Sequence, residues 1–342
     1  MSPALKCFFF LLLIGCFPGC KKPATVPDPA PPPDTSFVKG ADIGWLTEME
    51  AQGRKFYNKA GIEQDLMLIL KNLGINTIRI RVWVNPVNGW NNKADVIAKA
   101  LRAKSQGMRV LINFHYSDTW ADPAHQTQPA TWTGQDMASL KNALADHTRD
   151  VLTALKLAGI SPEWVQVGNE TNDGMLWPEG KASFNMANFA QLVATGYDAV
   201  KSVFPSAKVI VHVSNGWDNS LFRWLFDGLK SKGGKWDIIG MSLYPNATNW
   251  SSLNTQCLNN MMDMIARYGK EVMIVEVGMS WDQDAASYSF LTDIIAKTKS
   301  LEGDKGLGVI YWEPEAYGNW QGYTLGAFDD AGKPTTALDA FK

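Results

Sequence analysis

Cysteine is scarce in this 342-residue chain, and where it does occur it is badly placed for cross-linking. Of four cysteines, Cys7, Cys16 and Cys20 crowd the first twenty residues, and Cys257 alone lies in the body of the sequence. That distribution excludes a disulfide inside the folded part and any cysteine-based zinc site. Cys257 reads as a small buried hydrophobe. Histidine is equally sparse, with four residues at 115, 125, 147 and 212 and no H-E-x-x-H spacing, so no metal is expected and no cofactor is implied. No G-x-S-x-G elbow is present, which removes the usual serine hydrolase. Basic charge is not in excess: Lys plus Arg is 32 against 34 Asp plus Glu, a formal net charge of -2. No nucleic-acid partner follows from that balance. Asp282-Gln283-Asp284 lacks the spacing of an EF-hand loop.

Long apolar runs are also missing beyond the start of the chain, so no membrane-spanning helix is predicted. Lys6 precedes Cys7-Phe8-Phe9-Phe10-Leu11-Leu12-Leu13-Ile14, a basic start followed by an apolar stretch too short to span a bilayer. It reads as an export signal. Leu13-Ile14-Gly15-Cys16 resembles a bacterial lipobox, with Cys20 as a second candidate for lipidation. The alternative is an ordinary secretory signal with incidental cysteines. Residues 21–36 carry six prolines, Pro23, Pro27, Pro29, Pro31, Pro32 and Pro33, and form an expected extended tether. The expected organisation is therefore a signal segment at 1–20, a linker at 21–36 and a catalytic domain at 37–342. Such a protein is exported and held at a membrane by an N-terminal lipid.

What the sequence does have is a repeated alternation. Apolar, strand-like runs at 37–44, 75–83, 108–116, 163–170, 208–214, 236–244, 271–277 and 307–313 are separated by helical patterns. Several runs are continuous in apolar character, such as Val209-Ile210-Val211, which is how strands buried on both faces look. Gly74, Gly107 and Gly159 stop three of the helical stretches. Eight such units in about three hundred residues predict a single (β/α)₈ barrel. The rival is an open doubly wound sheet, whose glycine-rich phosphate turn is absent from Gly44-Trp45-Leu46-Thr47.

In a (β/α)₈ barrel the strand C-termini carry the chemistry. Two glutamates stand at such ends, Glu170 and Glu276, and a carboxylate there is costly without a partner or a task. Two carboxylates about 5–5.5 Å apart are the equipment of a retaining glycosidase, one protonating the leaving oxygen and the other attacking the anomeric carbon. Arg81 is the expected cation beside the nucleophile, Tyr244 a phenolic donor to it, and Asn169 a partner for the sugar 2-hydroxyl. Arg79, one pleat deeper, is weighed between the site and a structural ion pair. Glu313 and Glu315 are second choices for the carboxylate pair. Fourteen tryptophans offer flat apolar faces on which sugar rings stack.

Longer stretches carry a resemblance. Lys39-Gly40-Ala41-Asp42, the run from Asn76 to Pro86, His115-Tyr116-Ser117-Asp118-Thr119-Trp120-Ala121-Asp122-Pro123, Gln166-Val167-Gly168-Asn169-Glu170 and Tyr311-Trp312-Glu313-Pro314 together resemble glycoside hydrolase family 53, the endo-β-1,4-galactanases of clan A. The resemblance spans roughly residues 37–342. It implies retaining, endo-acting cleavage of β-1,4-galactan and type I arabinogalactan, with Glu170 as acid/base and Glu276 as nucleophile. The strand mouths offer the expected substrate contacts, Asp42, Arg81, Trp83, His115, Asp118, Trp120, Asn169, Tyr244 and Trp312, and a monomer is expected. Val277-Gly278-Met279 departs from the family's usual flank, and the tail after Trp312 is short, from which no structural calcium and a more open cleft are expected. The competing functions are another clan A β-glycanase, a mannanase or cellulase, and a non-catalytic glycan-binding lipoprotein.

Overall fold

The computed structural model describes residues 36–342. The proposed signal and the linker up to residue 35, with Cys16 and Cys20, lie outside the described residues. Phe37–Lys342 forms one compact unit.

Eight strands close into a barrel, each parallel to its neighbour: β1 (Val38–Asp42), β2 (Thr77–Val82), β3 (Arg109–Phe114), β4 (Trp164–Val167), β5 (Lys208–Val213), β6 (Ile238–Leu243), β7 (Glu271–Val277) and β8 (Gly306–Tyr311). All eight expected strands are present, most of them shorter at their ends. The largest difference is β4, which stops at Val167 rather than 170, so Glu170 stands in the turn beyond the strand. The reason is local: Gly168 turns the backbone at φ +82° and Glu170 sits at φ +44°, a left-handed conformation that no strand continues.

Eight α-helices pack outside among the described residues: α1 (Leu46–Ala51), α2 (Leu66–Asn72), α3 (Lys93–Ser105), α4 (Met137–Leu157), α5 (Ala182–Val203), α6 (Asn219–Ser231), α7 (Trp250–Tyr268) and α8 (Asp284–Lys299). Their starts are set by side-chain caps. Asp65, Asn92, Asp136 and Asp218 each accept backbone N–H groups of the first turn. Two helices follow β1, and β8 is followed by no α-helix among the described residues, only by 3₁₀ turns at Trp320–Gly322 and Thr336–Phe341. The chain between is spent on irregular backbone, part of which reaches the barrel mouth, where Tyr323 and Leu325 line the cleft.

Alternation along the strands sorts residues between two cores. Outward residues such as Ile78, Ile80, Val82, Val211 and Val309 join the helices in the large cluster. Inward residues Val38, Leu111, Trp164, Ile210, Ile238, Met273, Val275 and Ile310 form a separate apolar plug inside the barrel. Strand β7 breaks its alternation at one point. Met241 pairs with Ile274 but Ser242 pairs with Glu276, so β7 carries one extra residue there. Val275 already faces the plug; the bulge lets the next residue, Glu276, face inward as well.

Candidate active site

Above the plug the barrel interior turns polar. The next inward residues are Asp42, Arg79, Arg81, Asn113, Gln166, His212, Ser242 and Glu276, all buried. Buried charge of this kind needs partners, and here they form a chain. Arg79 reaches across the barrel, with Nη1 2.7 Å from Asp42 Oδ2 and Nη2 2.9 Å from Glu276 Oε1. Arg81 pairs with Glu313 and stacks over the Trp120 ring, Cζ 4.4 Å from its centroid. Gly44 leaves the room this takes: a Cβ there would collide with the Arg81 guanidinium.

Glu276 is held by two donors. Besides Arg79, the Tyr244 hydroxyl donates to Oε2 at 3.0 Å. Glu170 has a different environment: Ser242 Oγ donates to its Oε1 at 2.7 Å, and no cation among the described residues forms an ion pair with it. One oxygen of Glu170, one of Glu276 and a ring nitrogen of His212 lie within 4.8 Å of one another. Burial and then repulsion from Glu276 push the Glu170 carboxyl up to about 8. Burial raises Glu276 too, but Arg79 and the Tyr244 hydrogen bond pull it back. Both carboxyls are thus raised, but only Glu276 has a guanidinium and a phenol bonded to it that favour its ionised form, and the two environments suit different roles. These oxygens and nitrogen are the one group of candidate metal donors among the described residues. They suit a metal poorly, because Glu276 already binds a guanidinium and a phenol, and both nitrogens of His212 face protein partners.

A cleft of about 330 Å³ opens over the pair, lined by His115, Trp120, Asp122, Asn169, Tyr244, Trp312 and Tyr323 among others. Its aromatic wall is continuous: Trp312 lies 4.8 Å from Tyr323 and 5.8 Å from Trp120, centroid to centroid, with Trp45 behind them. Asn169 is fixed by Arg79 Nη2 donating to its Oδ1 at 2.9 Å, while its Nδ2 donates to the Ala121 carbonyl at 2.8 Å. Asn169 Nδ2 makes no second hydrogen bond among the described residues.

The structure brings together Glu170, Glu276, His115, Trp120, Asn169, Tyr244 and Trp312. Trp83 stands behind Trp120, its Nε1 donating to His115 Nδ1 at 3.3 Å. Three expected contacts lie elsewhere. Asp42 is fully buried beneath the guanidinium groups and cannot touch a ligand. Arg81 is not the cation on the nucleophile; Arg79 is. Both face inward, but Arg79, level with Asp42, reaches Gln166 and Glu276 and so spans the barrel, whereas Arg81 turns toward β1 and β8. Asp118 accepts the Asn85 and Ala130 backbone N–H groups at 2.9 and 2.8 Å and pins loops together; Asp122, four residues on, lines the cleft instead. Glu313 and Glu315 are fully buried and lie off the cleft, Glu313 bonding Arg81 and the Trp45 N–H. Sequence reasoning missed Ser242 and Tyr323. Ser242 was readable only as part of an inward alternation on β6 that ends in Tyr244.

Comparison with known proteins adds a separate line. The sequence pattern of glycosyl hydrolase family 53 matches residues 38–289. The arabinogalactan endo-beta-1,4-galactanase of Thermothelomyces thermophilus is 37% identical over 298 residues, covering 81% of this chain and 89% of that protein. A solved fungal beta-1,4-galactanase superposes with a TM-score of 0.82 at 33% identity, covering 90% of this chain and 99% of that one. The family 53 catalytic domain of Ignisphaera aggregans superposes with a TM-score of 0.82 at 29% identity, covering 92% and 98%.

Proposed function

We propose that this chain, which belongs to glycosyl hydrolase family 53, is an endo-acting β-1,4-galactanase that works by double displacement. The observation that carries the reading is the carboxyl pair, oxygens within 4.8 Å, near the separation of about 5–5.5 Å that a retaining mechanism uses and below the roughly 6.5–9.5 Å that leaves room for an inverting water. The galactan substrate is supported by the names of the relatives, two of them galactanases at 37% and 33% identity.

The roles follow from the environments. Glu276, ionised by Arg79 and Tyr244, attacks the anomeric carbon as the bond to the leaving galactosyl oxygen breaks. Glu170 gives its proton to that oxygen. Water then adds to the anomeric carbon, its proton passing to Glu170 as the ester to Glu276 breaks. Asn169 offers its second amide hydrogen to the sugar 2-hydroxyl, and Trp120, Trp312 and Tyr323 supply the apolar wall. The cleft is complete within one chain, which supports action as a monomer. Export and lipid anchoring through Cys16 or Cys20 rest on the Leu13-Ile14-Gly15-Cys16 run and the proline-rich tether; mass spectrometry of the mature N-terminus tests them.

The decisive assay is a timed product profile on linear β-1,4-galactan beside mannan and cellulose. Internal cleavage to galacto-oligosaccharides that disappears in Glu170→Ala and Glu276→Ala is expected. Binding to galactan with no release of reducing ends would leave a glycan-binding protein in its place.

A further inference from the structure

We propose that His212 and Ser242 form a clamp that fixes which oxygen of Glu170 carries the catalytic proton, a positioning role that rests on the acid/base reading of Glu170.

Glu170 needs holding. It lies past the end of β4, at φ +44°, outside the strand ladder, and such a conformation persists only where its surroundings impose it. His212 on β5 supplies much of that. Its Nδ1 accepts the Glu170 backbone N–H at 3.3 Å, and its carbonyl accepts both the N–H and the hydroxyl of Thr171, at 2.8 and 3.0 Å. From the other side of the ring, Nε2 is 2.7 Å from Ser242 Oγ, which is 2.7 Å from Glu170 Oε1. One imidazole therefore grips the residue at its backbone and, through Ser242, at its carboxyl. His212 and Ser242 are 0% and 1% exposed, so water does not compete.

The direction of these bonds is determined. The fixed donor facing Nδ1 is the Glu170 backbone N–H; Gln166 Nε2, at 3.0 Å, also turns a donor toward it while sharing its two hydrogens with the Gly168 carbonyl and Asn169 Oδ1. Gln166 cannot be reversed, because its Oε1 accepts from Arg79 Nε and Nη2. Asn169 Oδ1 also lies 3.1 Å from Nδ1 but already accepts from Arg79 and Asn113. Nδ1 is thus an acceptor. Burial, with Arg79 and His115 nearby, keeps the ring neutral, so its hydrogen sits on Nε2. Nε2–H donates to Ser242 Oγ, and the single serine hydrogen is left for Glu170 Oε1. Oε1 then accepts in both protonation states, and the transferable proton resides on Oε2. In the first step the Oε2–H bond breaks as the leaving oxygen gains its hydrogen; in the second, a water proton returns to Oε2. The clamp itself transfers nothing.

Glu276 on β7, Arg79 on β2, Tyr244 beyond β6 and Asp122 beyond β3 also act on Glu170 electrostatically. Ser242 nonetheless makes the one hydrogen bond to its carboxyl among the described residues. The test is Ser242→Ala, measured as kcat/KM against pH on galactan and on a 2,4-dinitrophenyl β-galactobioside, whose leaving group needs no proton. Ser242 favours the ionised form, so its loss is expected to move the basic limb up by about one pH unit. Galactan turnover at the optimum should fall about tenfold or more through misplacement of the proton, with formation of the glycosyl-enzyme from the aryl substrate changed less than about twofold, since it skips general acid help. An unmoved basic limb, or equal losses on both substrates, overturns the clamp. Glu170→Ala run in parallel separates the two levels. If it is inactive on galactan while Ser242→Ala matches wild type, the clamp alone fails. Full turnover in Glu170→Ala overturns the acid/base reading beneath it.

Discussion

The lower and upper halves of the barrel interior are built from the same strands and packed in opposite ways. Two residues along a strand separate Ile210 from His212, Leu111 from Asn113, and Trp164 from Gln166. Below, eight apolar side chains make a plug that is indifferent to pH and specific only in shape. Above, nearly every inward side chain is polar, and each stays buried because a neighbour of opposite charge or a hydrogen bond compensates it. The lower half contributes stability. The upper half gives up some of that stability to hold charges in place before a substrate arrives, which is what electrostatic catalysis requires.

The contrast breaks most visibly at Glu276. Glu276→Ala is expected to cut galactan turnover on the order of 10⁴-fold, measured by reducing-end release, while removing a carboxyl whose burial is unfavourable leaves the unfolding midpoint little changed. Arg79→Gln strikes both activity and fold, since it strands Asp42 and Glu276 without their shared cation. A loss of about 3–5 kcal/mol in denaturant unfolding is expected beside loss of activity. Met273→Ala, in the plug, should cost about 2–5 kcal/mol and leave the pH profile of the surviving folded enzyme where it was; a shifted profile would mean that the two halves are not separable.

Smaller effects sharpen the upper half. The wild-type kcat/KM profile should be bell-shaped. On the basic side the rate falls as Glu170, raised to about 8 by burial and by Glu276, loses the proton it must donate. On the acidic side it falls as Glu276 becomes protonated and can no longer attack. Tyr244→Phe removes a donor that favours ionised Glu276, so the acidic limb moves up while the basic limb moves little, and the rate at the optimum drops about tenfold, the scale of one charge-assisted hydrogen bond.

The same division explains what the sequence disclosed. Strands buried on both faces announce themselves as continuous apolar runs, so the barrel was legible from residues such as Val209-Ile210-Val211. Glu170 and Glu276 were legible as carboxylates at the ends of those runs. The inward turn of Glu276 was not: with Val275 in the plug, strict alternation aims Glu276 at the helices, and only the extra residue in β7 corrects it. Arg79 and Arg81 share one strand face, so no pattern tells which reaches β7; that depends on how far each side chain extends across the closed barrel and on the gap at Gly44. Asp118 and Asp122 sit in one loop, and turn hydrogen bonds to Asn85 and Ala130 decide which of them is spent on structure. Ser242 carries no charge and stands out only once Glu170 and His212 are placed on either side of it.

The central claim is that Glu276 attacks the sugar while Glu170 serves the leaving oxygen. Incubation with a 2-deoxy-2-fluoro β-galactobioside bearing an activated leaving group, followed by peptide mass spectrometry, tests it most directly. A stable glycosyl ester on the peptide containing Glu276, absent in Glu276→Ala, is the expected result; an ester on Glu170, or an enzyme that turns over galactan and never carries a label, would contradict it.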